Sequence, residues 1–213
     1  MRNDIAVTLP VLANRHGTDK AWSHHYIPMY ALHFERYQSL PIRLLEIGIG
    51  GYNKPKRGGA SLKMWADYFW DGEVIGIDIE DKSFLDSGSI RTYIVDQTDE
   101  DALNSLNWNR GPFDIVIDDG SHRQDHVLKS FQILFPLLNH DGLYVIEDLE
   151  CCYKPCYGGS PDLSAPNAIS LIQRFVDSIQ WKNWGPRERG PTDLDRMVRA
   201  VHVYKEICFI EKR

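Results

Sequence analysis

Two short acidic segments hold the residue types best suited to chemistry: Asp118-Asp119-Gly120-Ser121-His122 and Glu147-Asp148. Each follows an apolar run, FDIVI at 113–117 and GLYVI at 142–146. If both runs are parallel strands, their carboxyl ends share one edge of a sheet, where open α/β sheets bind ligands. Three or four carboxylates would then crowd into one pocket mouth. Like charges that close cannot all stay ionised and desolvated unless a cation neutralises them. Oxygen ligands favour Mg²⁺, Mn²⁺ or Ca²⁺ over zinc. The competing reading is a set of solvated strand-end acids capping the next helices. His122 follows Asp119 closely enough to face the same site, and its ordinary pKa of about 6.5 suits a general base.

A second group of residues looks built to hold a cofactor. Glu46-Ile-Gly48-Ile-Gly50-Gly51 ends the run IRLLEI at 42–47. Glycines at a strand end let a ligand approach the backbone and leave N–H groups free for it. The turn is not the dinucleotide fingerprint, because Asn53 stands where the third glycine belongs, and a polar insert at 54–59 precedes the next helix. Asp78 ends the run EVIGIDI and is placed to accept hydrogen bonds from ribose hydroxyls, or else to fasten its own loop. Asp96 and Gln97 end the run at 90–95 and could meet an adenine edge, with a helix cap as the rival reading.

These residues need a scaffold, and the pattern supplies one. Short apolar runs alternate with amphipathic stretches, the signature of β-α-β units and a parallel sheet. Strands are expected at 42–47, 73–79, 90–95, 113–117 and 142–146. Helices are expected at 26–37, 61–70, 99–106, 124–138 and 167–181. Residues 65, 69 and 70 (Trp, Phe, Trp) read as one helix face. The stretch 153–166 is dense in Gly, Pro and Ser and reads as a loop, as does 184–191. These two loops are expected over the pocket, where acceptor specificity would lie. Strands at 198–204 and 207–212 make a terminal hairpin that adds an antiparallel edge. HGTDK at 16–20 and the pair His24-His25 read as loop. The expected fold is α/β: a Rossmann-like, doubly wound, mostly parallel seven-stranded sheet with an antiparallel C-terminal hairpin. A helical and loop segment at 1–40 would lie over the cofactor site, and 41–213 would form the catalytic domain.

Composition bounds the function classes. The chain has 213 residues, 43% of them hydrophobic and 25% charged, enough apolar material for one sizeable core. A net charge of −6 argues against a nucleic-acid binder, which needs a concentrated basic surface. No apolar run approaches the ~20 residues that span a bilayer, and the opening MRNDIAVTLP makes a poor signal peptide. A cytoplasmic protein is expected. Cys151, Cys152, Cys156 and Cys208 lack disulfide or zinc spacing and read as ordinary thiols. Six Trp and ten Tyr are many for this length, and a homo-oligomer is compatible with that excess.

In this order the motifs resemble a class I S-adenosylmethionine-dependent methyltransferase. More closely, they resemble the metal-dependent sugar O-methyltransferases of macrolide biosynthesis. The shared stretches are HGTDK (16–20), RLLEIGIGGY (43–52), GGASLKMW (58–65), GIDIEDKS (76–83), GPFDIVIDDGSH (111–122) and GLYVIEDLE (142–150). IDDGSH with IEDL is the specific part. The resemblance implies that Asp119, Glu147 and Asp148 hold Mg²⁺, with His122 as the base that deprotonates a sugar hydroxyl. It implies that Glu46, Gly48, Gly50 and Gly51 wrap the methionine part of S-adenosylmethionine and Asp78 its ribose, with Asp96 and Gln97 near the adenine. HGTDK would close over the cofactor, with Thr18 as a contact. One departure is that the macrolide enzymes carry a long N-terminal region and this sequence has nothing of that length.

The function expected is Mg²⁺-dependent transfer of a methyl group to a sugar hydroxyl of a glycoside or natural product. A bidentate demand on the cation would favour a vicinal diol. The rival is an oxidoreductase of the cephalosporin hydroxylase type, which shares the same stretches; a nicotinamide enzyme is disfavoured by Asn53 and the insert. A cofactor-binding module without chemistry has no need to gather these acids around His122.

Overall fold

The computed structural model describes residues 8–52, 54, 56–188 and 190–213. Asn53, which separates the glycine turn from the dinucleotide fingerprint, lies outside the described residues, as do residues 1–7 at the start of the chain. The chain divides into two compact units, 1–94 and 95–213.

Unit 1 begins with α1 (Leu9–His16), α2 (Asp19–Trp22) and α3 (Ile27–Phe34), followed by β1 (Arg43–Ile47), α4 (Ala60–Tyr68), β2 (Glu73–Asp78) and β3 (Ile90–Ile94). HGTDK is therefore mostly helical rather than loop. His16 closes α1, Gly17 caps it at φ 67°, and Asp19 and Lys20 open α2. Both helices are too short to show a clear apolar period, so they stay hidden in the pattern. The three strands pair in parallel, with Leu45 opposite Ile75 and Ile75 opposite Arg91.

Within this unit α3 shares an aromatic core with α4. Tyr30 and Phe34 of α3 pack on Trp65 of α4 with ring centroids 4.9 and 5.3 Å apart, and Phe34 meets Phe69 at 5.5 Å. α3 is thus built into the core of unit 1. Trp65 and Phe69 are buried as the helix pattern requires, but Trp70 is 67% exposed. α4 ends at Tyr68, so Trp70 lies beyond the helix and off its face.

Unit 2 holds α5 (Glu100–Arg110), β4 (Ile115–Asp118), α6 (Gln124–Leu134), β5 (Leu143–Ile146), α7 (Ala168–Ser178), α8 (Asp193–Met197), β6 (Val198–Tyr204) and β7 (Ile207–Lys212). Asp99 caps α5 by accepting the Ala102 N–H at 3.0 Å. Asn167 and Ser170 form a reciprocal capping box at the start of α7. β4 and β5 are buried throughout, as strands covered on both faces must be. They pair in parallel, β7 runs antiparallel to β5, and β6 antiparallel to β7. The rings of Phe131, Phe135, Tyr144 and Phe175 pack together at the centre of this unit.

Pattern reading missed α8, a single turn and a half held by a Thr192–Asp195 capping box. The stretch 153–166 is irregular but carries a short 3₁₀ turn at Pro155–Tyr157. All four thiols are free. Burial pushes the Cys151 thiol up to about 12, far from the reactive thiolate.

Among the described residues seven strands form one sheet in the order β3-β2-β1-β4-β5-β7-β6. This is the mostly parallel α/β sheet with an antiparallel terminal hairpin that the pattern predicts. Among the described residues no helix is long and apolar enough to cross a membrane.

Candidate active site

In unit 2 the loop after β4 and the loop after β5 bring three side chains together. One ligand atom each from Asp119, His122 and Asp148 lies within 4.8 Å of the others. His122 Nε2 stands 3.5 Å from Asp148 Oδ2 and 3.9 Å from Asp119 Oδ1. All three side chains are partly exposed, between 14% and 24%, so a ligand can reach them. His122 and Asp148 both adopt left-handed backbone, at φ 56° and 55°. Their side chains leave the ends of parallel strands through tight turns rather than along the strand. Two hard carboxylates with an imidazole beside them fit a divalent cation.

Glu147 is not in this group among the described residues. Its side chain is buried, at 4% exposure, while its backbone N–H is donated to the Asp118 carbonyl at 3.1 Å.

Asp118 also stands apart from the cluster, contrary to the picture of four acids in one mouth. Its carboxylate accepts from Ser130 Oγ at 2.5 Å, Tyr144 OH at 3.2 Å and Gln97 Nε2 at 3.2 Å. Burial lifts its carboxyl above the usual range, against the lowering pull of the Ser130 and Tyr144 hydroxyls. Gln97 is the brace of this network. Its Oε1 accepts the Ser121 N–H at 2.8 Å, so the amide ties the DDGSH turn to the buried acid. Both ends of Gln97 are engaged within the protein. Asp96 folds its own turn, accepting the Thr98 N–H and hydroxyl at 2.8 Å each. Those bonds hold its carboxyl below the usual range. Tyr144 was the missed signal here: a phenol inside an apolar strand must find an acceptor.

Unit 1 carries the glycine turn. Gly48, Gly50 and Gly51 have φ of 86°, 71° and 78°. A Cβ on Gly51 would lie 2.2 Å from the Arg57 carbonyl oxygen, whereas a Cβ on Gly50 would meet nothing within 4 Å. Gly51 is therefore needed to fold the turn on itself. Gly50 borders open space that a bound group could fill, which fits a cofactor laid against the backbone. Gly51→Ala should cost clearly more than the ~1 kcal/mol expected of backbone strain alone, and more than Gly50→Ala. Urea unfolding of the two variants checks the order.

Asp78 fastens this turn. Its Oδ2 accepts the Ile49 N–H and its Oδ1 the Glu80 N–H, both at 3.0 Å. Each carboxylate oxygen keeps acceptor capacity for a ribose hydroxyl. Glu46 is fully buried and paired with Lys20, whose Nζ is 3.3 Å from Oε1 and whose side chain is also buried. Ser61 Oγ donates to Glu46 Oε2 at 3.0 Å. Lys20 and Ser61 were not singled out by sequence reasoning; a lysine two residues after a buried threonine gives no pattern of its own. Thr18 is buried and precedes α2.

Comparison with known proteins bears on this geometry. No protein-family model matches the chain. It is 46% identical over 206 residues to the demethylmacrocin O-methyltransferase of Streptomyces fradiae, covering 94% of this chain and 52% of that protein. It is 41% identical over 203 residues to a Streptomyces olivaceus enzyme, the 8-demethyl-8-alpha-L-rhamnosyl tetracenomycin-C 2'-O-methyltransferase, covering 95% and 54%. A solved methyltransferase of the mycinamycin pathway, in complex with Mg, SAH and mycinamycin VI, superposes with a TM-score of 0.91. That match is at 41% identity and covers 96% of this chain and 53% of the other. The fold is that of these O-methyltransferases. The chain spans about half the length of the curated relatives it matches. Within that methyltransferase fold, β4 and β5 end in the carboxylate–histidine group, and β1 and β2 end in the glycine turn and Asp78.

Proposed function

We propose that the chain is a Mg²⁺-dependent O-methyltransferase that moves the methyl group of S-adenosylmethionine to a sugar hydroxyl. The observation that carries this reading is the Asp119–His122–Asp148 group. Relatives that methylate sugars on macrolides and tetracenomycin support an acceptor sugar attached to a natural product. Two neighbouring hydroxyls are the preferred acceptor, because a cation can orient both. Those relatives are methyltransferases, and they give the oxidoreductase alternative no support.

When bound, S-adenosylmethionine supplies an electrophilic methyl group and the cation supplies positive charge beside the acceptor oxygen. The chain does the rest. Asp119 and Asp148 would hold the cation, with Glu147 as the further ligand the motif implies. His122 accepts the hydroxyl proton at Nε2, and the carboxylates beside it stabilise the imidazolium that results. Glu46, Gly48, Gly50 and Gly51 would line the amino-acid end of the cofactor, and Asp78 its ribose. Asp96, Gln97 and Thr18 complete the proposed contacts, with Gln97 acting through the turn it braces. The oxygen–methyl bond forms as the sulfur–methyl bond breaks, so positioning carries most of the rate.

The test is transfer of labelled methyl from S-adenosylmethionine to a panel of glycosides in Mg²⁺. Label should reach the sugar, stop when EDTA is added, and resume when Mg²⁺ is restored in excess. Transfer that ignores EDTA overturns the metal-dependent reading.

A further inference from the structure

A groove of about 450 Å³ opens on unit 2 between the segment after β5, α7 and the β6–β7 turn. Leu149, Tyr153, Ile172, Val176, Val203 and Tyr204 form its apolar walls. The volume is that of an ordinary small-molecule pocket. Tyr153, Val176 and Val203 are 44%, 61% and 54% exposed, so three large apolar side chains stand in solvent around one concavity. Apolar groups gathered this way on a soluble surface mark a binding site more often than chance.

One wall of the groove is the next residue in the chain after the carboxylate–histidine group. Leu149 follows Asp148 directly, and its N–H is donated to the Glu206 carbonyl at 2.9 Å. Ile146 of β5 lies opposite Cys208 of β7. The β6–β7 turn therefore meets the carboxyl end of β5, the end that carries Asp148. Glu150 borders the groove, with Oε1 accepting from Lys154 Nζ and Oε2 buried without a hydrogen-bond partner. A bare sugar gains little from such walls, whereas an apolar body joined to a sugar gains the whole contact.

We propose that this groove receives the apolar aglycone of the acceptor glycoside while its sugar lies at Asp119, His122 and Asp148. The inference rests on the O-methyl transfer reading for the position of the sugar. Acceptor choice then sits on α7 and the terminal hairpin, with Tyr153 as the contribution of the 153–166 loop.

The test compares methyl and octyl α-L-rhamnoside as probes, by calorimetric binding in Mg²⁺ and by methyl transfer. The octyl glycoside should bind at least tenfold more tightly than the methyl glycoside. Val176→Glu combined with Val203→Glu, both at exposed positions, should abolish that advantage while thermal unfolding and methyl-rhamnoside binding stay unchanged. Equal affinity for the two probes, or an advantage that survives the double substitution, overturns the inference even if label is transferred. Loss of the octyl advantage without any methyl transfer keeps the groove and removes the transfer reading. Sedimentation showing that the double substitution splits a dimer would make the groove a subunit contact and also overturns it.

Discussion

His122→Ala should lower methyl transfer by about 10² to 10⁴-fold, the usual contribution of a positioned acid or base. The imidazole Nε2 lies 3.5 Å from Asp148 and 3.9 Å from Asp119, close enough to feel both charges. These distances are longer than a firm hydrogen bond, so the nitrogen is not tied down. The variant should keep its affinity for Mg²⁺, measured by calorimetry, and for S-adenosylmethionine. A combined loss of Mg²⁺ affinity and turnover would make His122 a metal ligand instead of the base. Full activity in the variant would remove it from the mechanism.

Lys20→Met should destabilise unit 1 strongly. Lys20 and Glu46 are both buried, with side-chain exposures of 2% and 0%. Removing the lysine takes away the cation 3.3 Å from a fully buried carboxylate. Breaking one side of a buried pair typically costs about 3–5 kcal/mol, whereas replacing both partners with neutral groups is often nearly free. The double variant Lys20→Met with Glu46→Gln should therefore recover most of the loss. A double-mutant cycle in urea measures this, and additive losses would show that the two charges do not support each other. The pair also fastens α2 to the end of β1, so the single variant should loosen the glycine turn.

The sheet was legible because its strands are nearly pure apolar runs bounded by glycine and acid. The residues 198–204 and 207–212 form the hairpin as read, since two runs rich in β-branched and aromatic residues flank Lys205-Glu206. Asp119, His122 and Asp148 were legible because acids at parallel strand ends have few structural reasons to gather. What escaped was decided by tertiary contact. α1 and α2 are too short to carry a period, and only packing against the rest of unit 1 holds them. Nothing in GTDK says that its lysine will be buried against Glu46. Asp118 and Asp119 are adjacent and identical in type, yet one is locked under Ser130 and Tyr144 and the other faces out. Strand alternation predicts that they part; it does not say which of them goes inside.

The left-handed backbone at His122 and Asp148 has a consequence for engineering. Each such non-glycine residue costs on the order of 1 kcal/mol or more, and the rest of the fold must offset it. Glycine at either position would relax the chain and raise thermal stability. It would also delete a group that the proposed methyl transfer uses. A campaign that ranks variants by melting temperature alone would therefore select first against the chemistry, at the two positions where ease of folding and usefulness pull apart.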